Sequence, residues 1–484
     1  MLTRKYWYII FPATAILWIL FKRCYPFPDF FTDSYTYIQA AADHNAISYR
    51  PIGYSLFLRL LHAVGHSDTL LVTVQFLLLQ SSCWLLFATV CRSCDLGVRV
   101  QVLIAAFLVL NPLVYYISNY VSSDALFIAL SLFWVTSLMR SMAAPTWRGL
   151  VIQWILLLGI FYTRYVALFY PLAAGIGYCW LRRGWWFRLA AISGSVLVVA
   201  ASVGCTRALT QAQTGAATFS AFSGWQMANN ALHIYPWLPV DSTGLPPATL
   251  PLAGYVDRYF SRDGPIRNQN PPRSTTGYMW ERSSPLHEYF DDYRRVHSDL
   301  RQGQDTAQLP YFTAWNRVAP VFSQYGYFLF RRHPLAFGRY YLLPSAKSFF
   351  LSPLDVFNTY LDGKKEIDPI ARNWFDWRGS RPWVCSATLQ GRVCAPFPWL
   401  SLLVTLAFGV VAAMFVLKKE IRDRYPAFTG CLRVAGIYLG VNICFNVFAS
   451  PSVYRYQVLP LILLVIFTCC GFFVVTYRKQ QSHV

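Results

Sequence analysis

The sequence predicts an all-α, multi-pass membrane protein with about ten transmembrane helices, amphipathic interfacial helices and a large extracytoplasmic segment. Three observations predict it. Of 484 residues, 55% are hydrophobic and only 13% are charged, with a mean hydropathy of +0.36. A soluble globular chain has about a quarter charged residues, so much of this surface faces something other than water. The apolar residues also gather into runs long enough to cross a bilayer. Finally, the formal charge of +20 falls mostly at the flanks of those runs, with no nucleic-acid motif or basic stripe. The cations therefore read as cytoplasmic flanks plus a cationic pocket, with no nucleic acid as partner.

A window of about 19 residues finds the runs. They lie near 6–21, 69–91, 100–118, 124–140, 149–163, 165–181, 188–206, 398–417, 427–449 and 454–476. The stretch from 149 to 181 is divided at Arg164, because an arginine at mid-membrane is costly and one in an interfacial turn is not. No small-residue cleavage site follows the first run, which reads as a retained span. Cations such as Arg92, Arg99, Arg140, Arg148, Lys418 and Lys419 fall on one side. The short opposite loops hold few: Lys22, Arg23, Arg50, Arg164 and Arg455. The positive-inside rule then predicts both termini in the cytoplasm, with Lys22 and Arg23 outvoted.

Three stretches fall on the outer face: about 24–67, about 207–397, and a short loop around 450–455. The chain thus divides into a membrane domain (1–206) with a first outer loop, an extracytoplasmic segment (207–397) and C-terminal transmembrane helices (398–484). Charge, proline and aromatic content over 257–317, including Asn270-Pro-Pro-Arg273, suits a folded cap better than a linker. An apolar patch at 337–357, interrupted by Pro344, Lys347 and Pro353, is expected to lie in the interface. Cys385 and Cys394 either pair in an oxidising compartment or remain free thiols. Cys91-x-x-Cys94 lacks the second ligand pair that a metal site needs.

Charged residues pressed against the membrane cost free energy unless they are used. The first outer loop reads Asp29-Phe-Phe-Thr-Asp33-Ser-Tyr-Thr-Tyr37-Ile-Gln-Ala-Ala41. Asp33, Tyr37 and Ala41 are four apart and share one helical face. Thr32 or Asp33 could instead cap that helix. Tyr49-Arg50-Pro51-Ile52-Gly53-Tyr54-Ser55 then turns the chain back toward the bilayer.

These residues resemble the GT-C superfamily of glycosyltransferases, in the branch of protein O-mannosyltransferases and aminoarabinose lipid A transferases. The first loop matches a D-x-x-x-Y-x-x-x-A pattern through Asp33, Tyr37 and Ala41, and Pro51, Gly53 and Tyr54 match a P-x-G-Y-like turn. Ser122-Ser123-Asp124-Ala-Leu-Phe127 resembles the S-[ED]-x-L-F step that opens the fourth span. Thr163-Arg164-Tyr165 resembles the arginine turn after the fifth, and Tyr454-Arg455-Tyr456-Gln-Val-Leu-Pro460 resembles the R-Y-x-x-P opening of the last, with one extra residue before the proline. The resemblance covers about 1–206 and 398–470. It implies a GT-C-like fold in a cell membrane, a bacterial inner membrane, with the active face extracytoplasmic. It also implies a polyprenyl-phosphate-linked sugar donor and an acceptor hydroxyl on a glycan, lipid or protein. The family often has two adjacent acids in the first loop; here Ser34 follows Asp33, which weakens the case for a divalent metal, and no cofactor is expected.

The chemistry fits the residues as well. A lipid phosphate leaves readily, so the reaction needs a base for the acceptor hydroxyl and cations for the departing phosphate. Asp33 is the candidate base. Arg164, Arg455 and Arg50 are candidate phosphate clamps, since guanidinium offers a fork of donors. Asp124 reads as a partner that orients an arginine, or else as a helix cap. Tyr37 and Tyr454 complete the candidate substrate-binding set. His44, His62 and His66 have no metal-ligand spacing. Tyr115, Tyr116 and Tyr120 read as interface aromatics. Gly224-Trp225-Gln226 with Asn229 and Asn230 could line a sugar pocket. The alternative is a lipid-linked sugar flippase or transporter without catalysis, which predicts a repeat between halves that the sequence lacks.

Overall fold

The computed structural model describes residues 4–181, 183–238, 243–261, 274–297, 309–449 and 451–481. Asn270-Pro-Pro-Arg273 and Ser450 lie outside the described residues. Among these residues the regular structure is helical, apart from one isolated bridge between Asp29 and Tyr120. Seven helical stretches are long and apolar enough to cross a membrane. They are Asp68–Ser93, Val98–Asn119, Ser123–Ala143, Trp185–Thr214, Leu389–Leu417, Pro426–Ala449 and Tyr454–Thr476. The chain is a membrane-embedded helical protein.

The other expected runs are helical too, but differ in length and charge. Helix α1 (Arg4–Cys24) includes Lys22 and Arg23 in its last turn. Then follow α2 (Thr32–Ala42), α3 (Gly53–His62) and α4 (Asp68–Ser93). The third run is two helices, α5 (Val98–Leu110) and α6 (Pro112–Asn119). The break has a local cause: Pro112 has no N–H, and the Asn111 side chain accepts from Leu113 N–H at 3.1 Å, starting α6 afresh. After α7 (Ser123–Ala143) and α8 (Trp147–Thr163), Arg164 is extended, as expected from its charge. A 3₁₀ turn (Tyr165–Phe169) and α9 (Tyr170–Tyr178) continue from it.

Helix α10 (Trp185–Thr214) runs beyond residue 206 and stops at Gly215, whose φ of 75° suits a residue without Cβ. Beyond it, α11 (Ala221–Leu232) packs closely on the helix Tyr311–Arg332. A Cβ on Gly224 would stand 2.1 Å from the Ala319 carbonyl oxygen, so this approach requires glycine. Trp225 is buried there, stacked on Trp315 at 3.9 Å between centroids. With the helices Leu250–Ser261 and Pro285–Val296 these elements build a second apolar core, separate from that of the membrane helices. The 337–357 patch is less broken than expected. A helical path runs from Pro334 to Phe350, through a π-helical stretch at Gly338–Leu342. Pro344 follows directly on the π-helical stretch, in the first residues of Leu343–Phe350. Phe337, Tyr341, Ser345 and Phe349 are buried at four-residue spacing while Leu335 and Leu343 are exposed, an amphipathic pattern.

Candidate active site

A cavity of about 820 Å³ opens between the two cores, with Asp33, Arg50, Asp124, Arg164 and Arg455 among its lining residues. Each is held by a nearby break in regular structure. The cap position of α2 is Phe31, whose N–H donates to Ser34 Oγ at 3.1 Å. Neither Thr32 nor Asp33 occupies it. The Asp33 carboxylate is instead turned to two arginines: Arg50 Nη2 lies 2.5 Å from Oδ1, and Arg455 Nη1 lies 3.5 Å from Oδ2. Tyr37, one turn on, donates from its buried hydroxyl to Ser123 Oγ at 2.9 Å. Burial raises its phenol, which keeps the proton that this bond uses.

Arg50 stands in the turn that leads to α3. The glycine of that turn has a steric reason: a Cβ on Gly53 would lie 2.6 Å from the Tyr162 backbone, at the end of α8. Tyr54 donates to Gln75 Oε1 at 2.8 Å, and Gln75 Nε2 donates to the carbonyls of Ser118 and Tyr120, both at 2.9 Å. This buried amide ties α3 and α4 to the chain just before α7. Ser122 then caps α7, and Asp124 stands in its first turn. A negative charge is favourable there. Arg164 Nη1 donates to Asp124 Oδ1, and Arg455 Nη1 is 3.6 Å from Oδ2. Asp124 is thus an orienting partner of two arginines, and Ser122 does the capping.

The three guanidinium groups also rest on rings. Arg164 lies over Tyr456 at 4.3 Å, Arg455 over Phe31 at 4.6 Å, and Arg50 over Phe222 at 5.4 Å to the centroids. Nε of Arg50 is buried without a hydrogen-bond partner, and Nε of Arg455, also buried, has only Asp355 Oδ2 nearby at 3.4 Å. Arg455 contacts Asp33, Asp124 and Asp355 only at 3.4–3.6 Å, beyond the usual N–H···O range. A guanidinium shared among three loose partners is suited to receive an oxyanion.

Several expectations change here. Tyr454 does not face the cavity: its buried hydroxyl donates to the Phe397 carbonyl at 2.8 Å and lies 2.6 Å from Ser401 Oγ. The 3₁₀ turn Tyr454–Gln457 sends Tyr456 to the cavity instead. Trp225 and Asn229 are buried in packing, and Asn229 donates to the Thr275 carbonyl at 2.8 Å, whereas Gln226 and Asn230 do line the cavity. Tyr115, Tyr116 and Tyr120 are buried within the protein, not at its lipid-facing surface. Cys385 and Cys394 are not joined to each other; Cys394 is buried and Cys385 exposed. His62 stacks between His66 and Trp374, and His66 contacts Asp376. Asp355, which the sequence did not single out, lines the cavity in a left-handed conformation (φ 55°), its Oδ2 3.4 Å from Arg455 Nε. Burial raises its carboxyl above the usual value.

No family model, curated protein or solved structure matches the chain. The functional reading therefore stands on the residues themselves.

Proposed function

We propose that the chain is a membrane glycosyltransferase with a GT-C-like fold of ten spans. It moves a sugar from a polyprenyl-phosphate carrier to an acceptor hydroxyl on the outer face. The observation that supports this best is the convergence of three arginines, Arg50, Arg164 and Arg455, and the Asp33 carboxylate on one cavity. Arginines alone would suit any anion. An adjacent carboxylate with free lone pairs suits an anion that must leave while a hydroxyl loses its proton. The lining is also mixed: Val166, Leu168, Phe445 and Phe448 offer an apolar wall for a prenyl chain, and Gln226, bonded to Asn230 at 2.6 Å, adds a polar edge.

The step is as follows. The acceptor oxygen attacks the anomeric carbon opposite the phosphate, forming the glycosidic bond and inverting that centre. The bond from the anomeric carbon to the phosphate oxygen breaks, and its electron pair leaves on the lipid phosphate, held by Arg164, Arg455 and Arg50. The acceptor proton passes to Asp33. Each Asp33 oxygen faces one arginine, which leaves a lone pair on each for the incoming hydroxyl. Asp124 holds Arg164 and Arg455 in position. The step as written needs no divalent metal.

The test is to incubate purified protein with a panel of polyprenyl-phosphate sugars and candidate acceptors. Release of free lipid phosphate together with a glycosylated acceptor is the expected result. Donor movement between leaflets of a vesicle without either product would support the flippase reading instead. Both termini are proposed to be cytoplasmic and 207–397 extracytoplasmic. An impermeant thiol reagent on intact cells should label a cysteine introduced at Ser283 and not one introduced at Arg422; the reverse pattern would invert the orientation.

A further inference from the structure

Outside the cavity, the end of α1 is laid against the chain that precedes the helix Leu389–Leu417. Cys385 N–H donates to the Cys24 carbonyl at 3.0 Å, the Tyr25 hydroxyl donates to the Ser386 carbonyl at 3.2 Å, and Tyr360 N–H donates to the Ala387 carbonyl at 2.9 Å. The direct backbone bond makes Cys24 and Cys385 immediate neighbours across the two segments, the proximity that a disulfide requires. Desolvation and the neighbouring Cys24 side chain raise the Cys385 thiol above its usual value. Cys385 is exposed and Cys24 partly so, which leaves them open to a redox partner. Cys394, the near neighbour in sequence, is buried.

We propose that Cys24 and Cys385 form a disulfide that fastens the end of the first span to the outer segment. The proposal rests on the orientation given above, which exposes both residues to an extracytoplasmic, oxidising compartment. In the reaction an S–S bond forms and the two thiols together lose two protons and two electrons. The oxidant is a protein thiol–disulfide oxidoreductase in its disulfide form, which accepts them and is released as the dithiol. The bond also has a structural consequence. Just after Cys385, Gln390 Nε2 donates to the Tyr120 hydroxyl and the Val356 carbonyl, both at 3.1 Å, and reaches Asp29 Oδ2 at 3.4 Å. The cross-link braces both the first outer loop, which holds Asp33, and the strand of chain that holds Asp355.

The test is peptide mapping of protein from membranes whose free thiols are alkylated at lysis, without reductant. The expected product is a peptide pair containing Cys24 and Cys385, lighter by two hydrogens than the separate peptides and lost on reduction. In parallel, Cys385 of Cys24→Ser should be labelled by an impermeant maleimide on intact cells. Alkylated, unlinked Cys24 and Cys385 in the wild type, with that outside labelling intact, would overturn the disulfide and leave the orientation standing. Unlinked cysteines with labelling only after permeabilisation would overturn the disulfide and the orientation together.

Discussion

Asp29 and Asp33 lie four residues apart in one loop, yet their carboxylates meet opposite surroundings. Asp29 is 2% exposed, and its partners are neutral: Phe30 N–H at 2.8 Å, Leu361 N–H at 2.7 Å and the Gln390 amide. Burial without a facing cation raises its carboxyl to about 7. The Asp33 side chain is 16% exposed, opens to the cavity and faces Arg50 and Arg455. The first acid joins the loop to residues 361 and 390 and holds structure; the second is placed where a substrate can reach it. Sequence spacing alone does not separate the two. The cations do.

The comparison can be broken by removing the cation. In Arg455→Ala, Asp33, Asp124 and Asp355 lose the group they share, and removal of one partner from a buried ion network costs about 3–5 kcal/mol. Thermal unfolding in detergent should show a much lower midpoint, and an unchanged midpoint would remove Arg455 from the network. Arg164→Ala should weaken donor binding by about 1.5–3 kcal/mol, or about 10- to 150-fold, with lysine restoring only part because it lacks the planar fork. Titration with a polyprenyl-phosphate sugar measures this directly.

Asp29→Asn sharpens the other side of the comparison. The native state holds the Asp29 proton more tightly than the unfolded chain, so the unfolded state binds fewer protons. Its contribution to stability is full below about pH 4 and is lost as pH rises toward about 7. Unfolding midpoints between pH 5 and 8 should lose this falling component in Asp29→Asn, while the amide mismatch with Gln390 costs about 1 kcal/mol. A slope identical to wild type would assign the titration elsewhere. The smallest effect is expected for Tyr454→Phe, which removes a buried bond about 1 kcal/mol in value and should leave transfer near normal. A large loss of turnover with donor binding intact would return Tyr454 to the site.

The membrane helices were legible because a span is a long, continuous property of the sequence, and even the division at Arg164 followed from its charge. The cluster of Asp33, Arg50, Asp124, Arg164 and Arg455 was legible through short motifs at the ends of spans. Asp355 was not, since it stands in a stretch without a pattern and meets Arg455 only through tertiary packing. Tyr454 and Tyr456 flank the same arginine, and nothing in their order says which of them a 3₁₀ turn sends inward. The Trp225 region failed for a related reason: a tryptophan beside amides suits a sugar pocket or a helix contact equally, and Gly224 decided for the contact.

The most direct test is sugar transfer and donor binding measured together for Asp33→Asn. Asparagine keeps an acceptor oxygen for Arg50 but cannot take the acceptor's proton. If Asp33 is the base, transfer falls by about 10²-fold or more while donor lipid still binds, and Asp29→Asn loses far less. Near-normal turnover in Asp33→Asn would contradict the assignment.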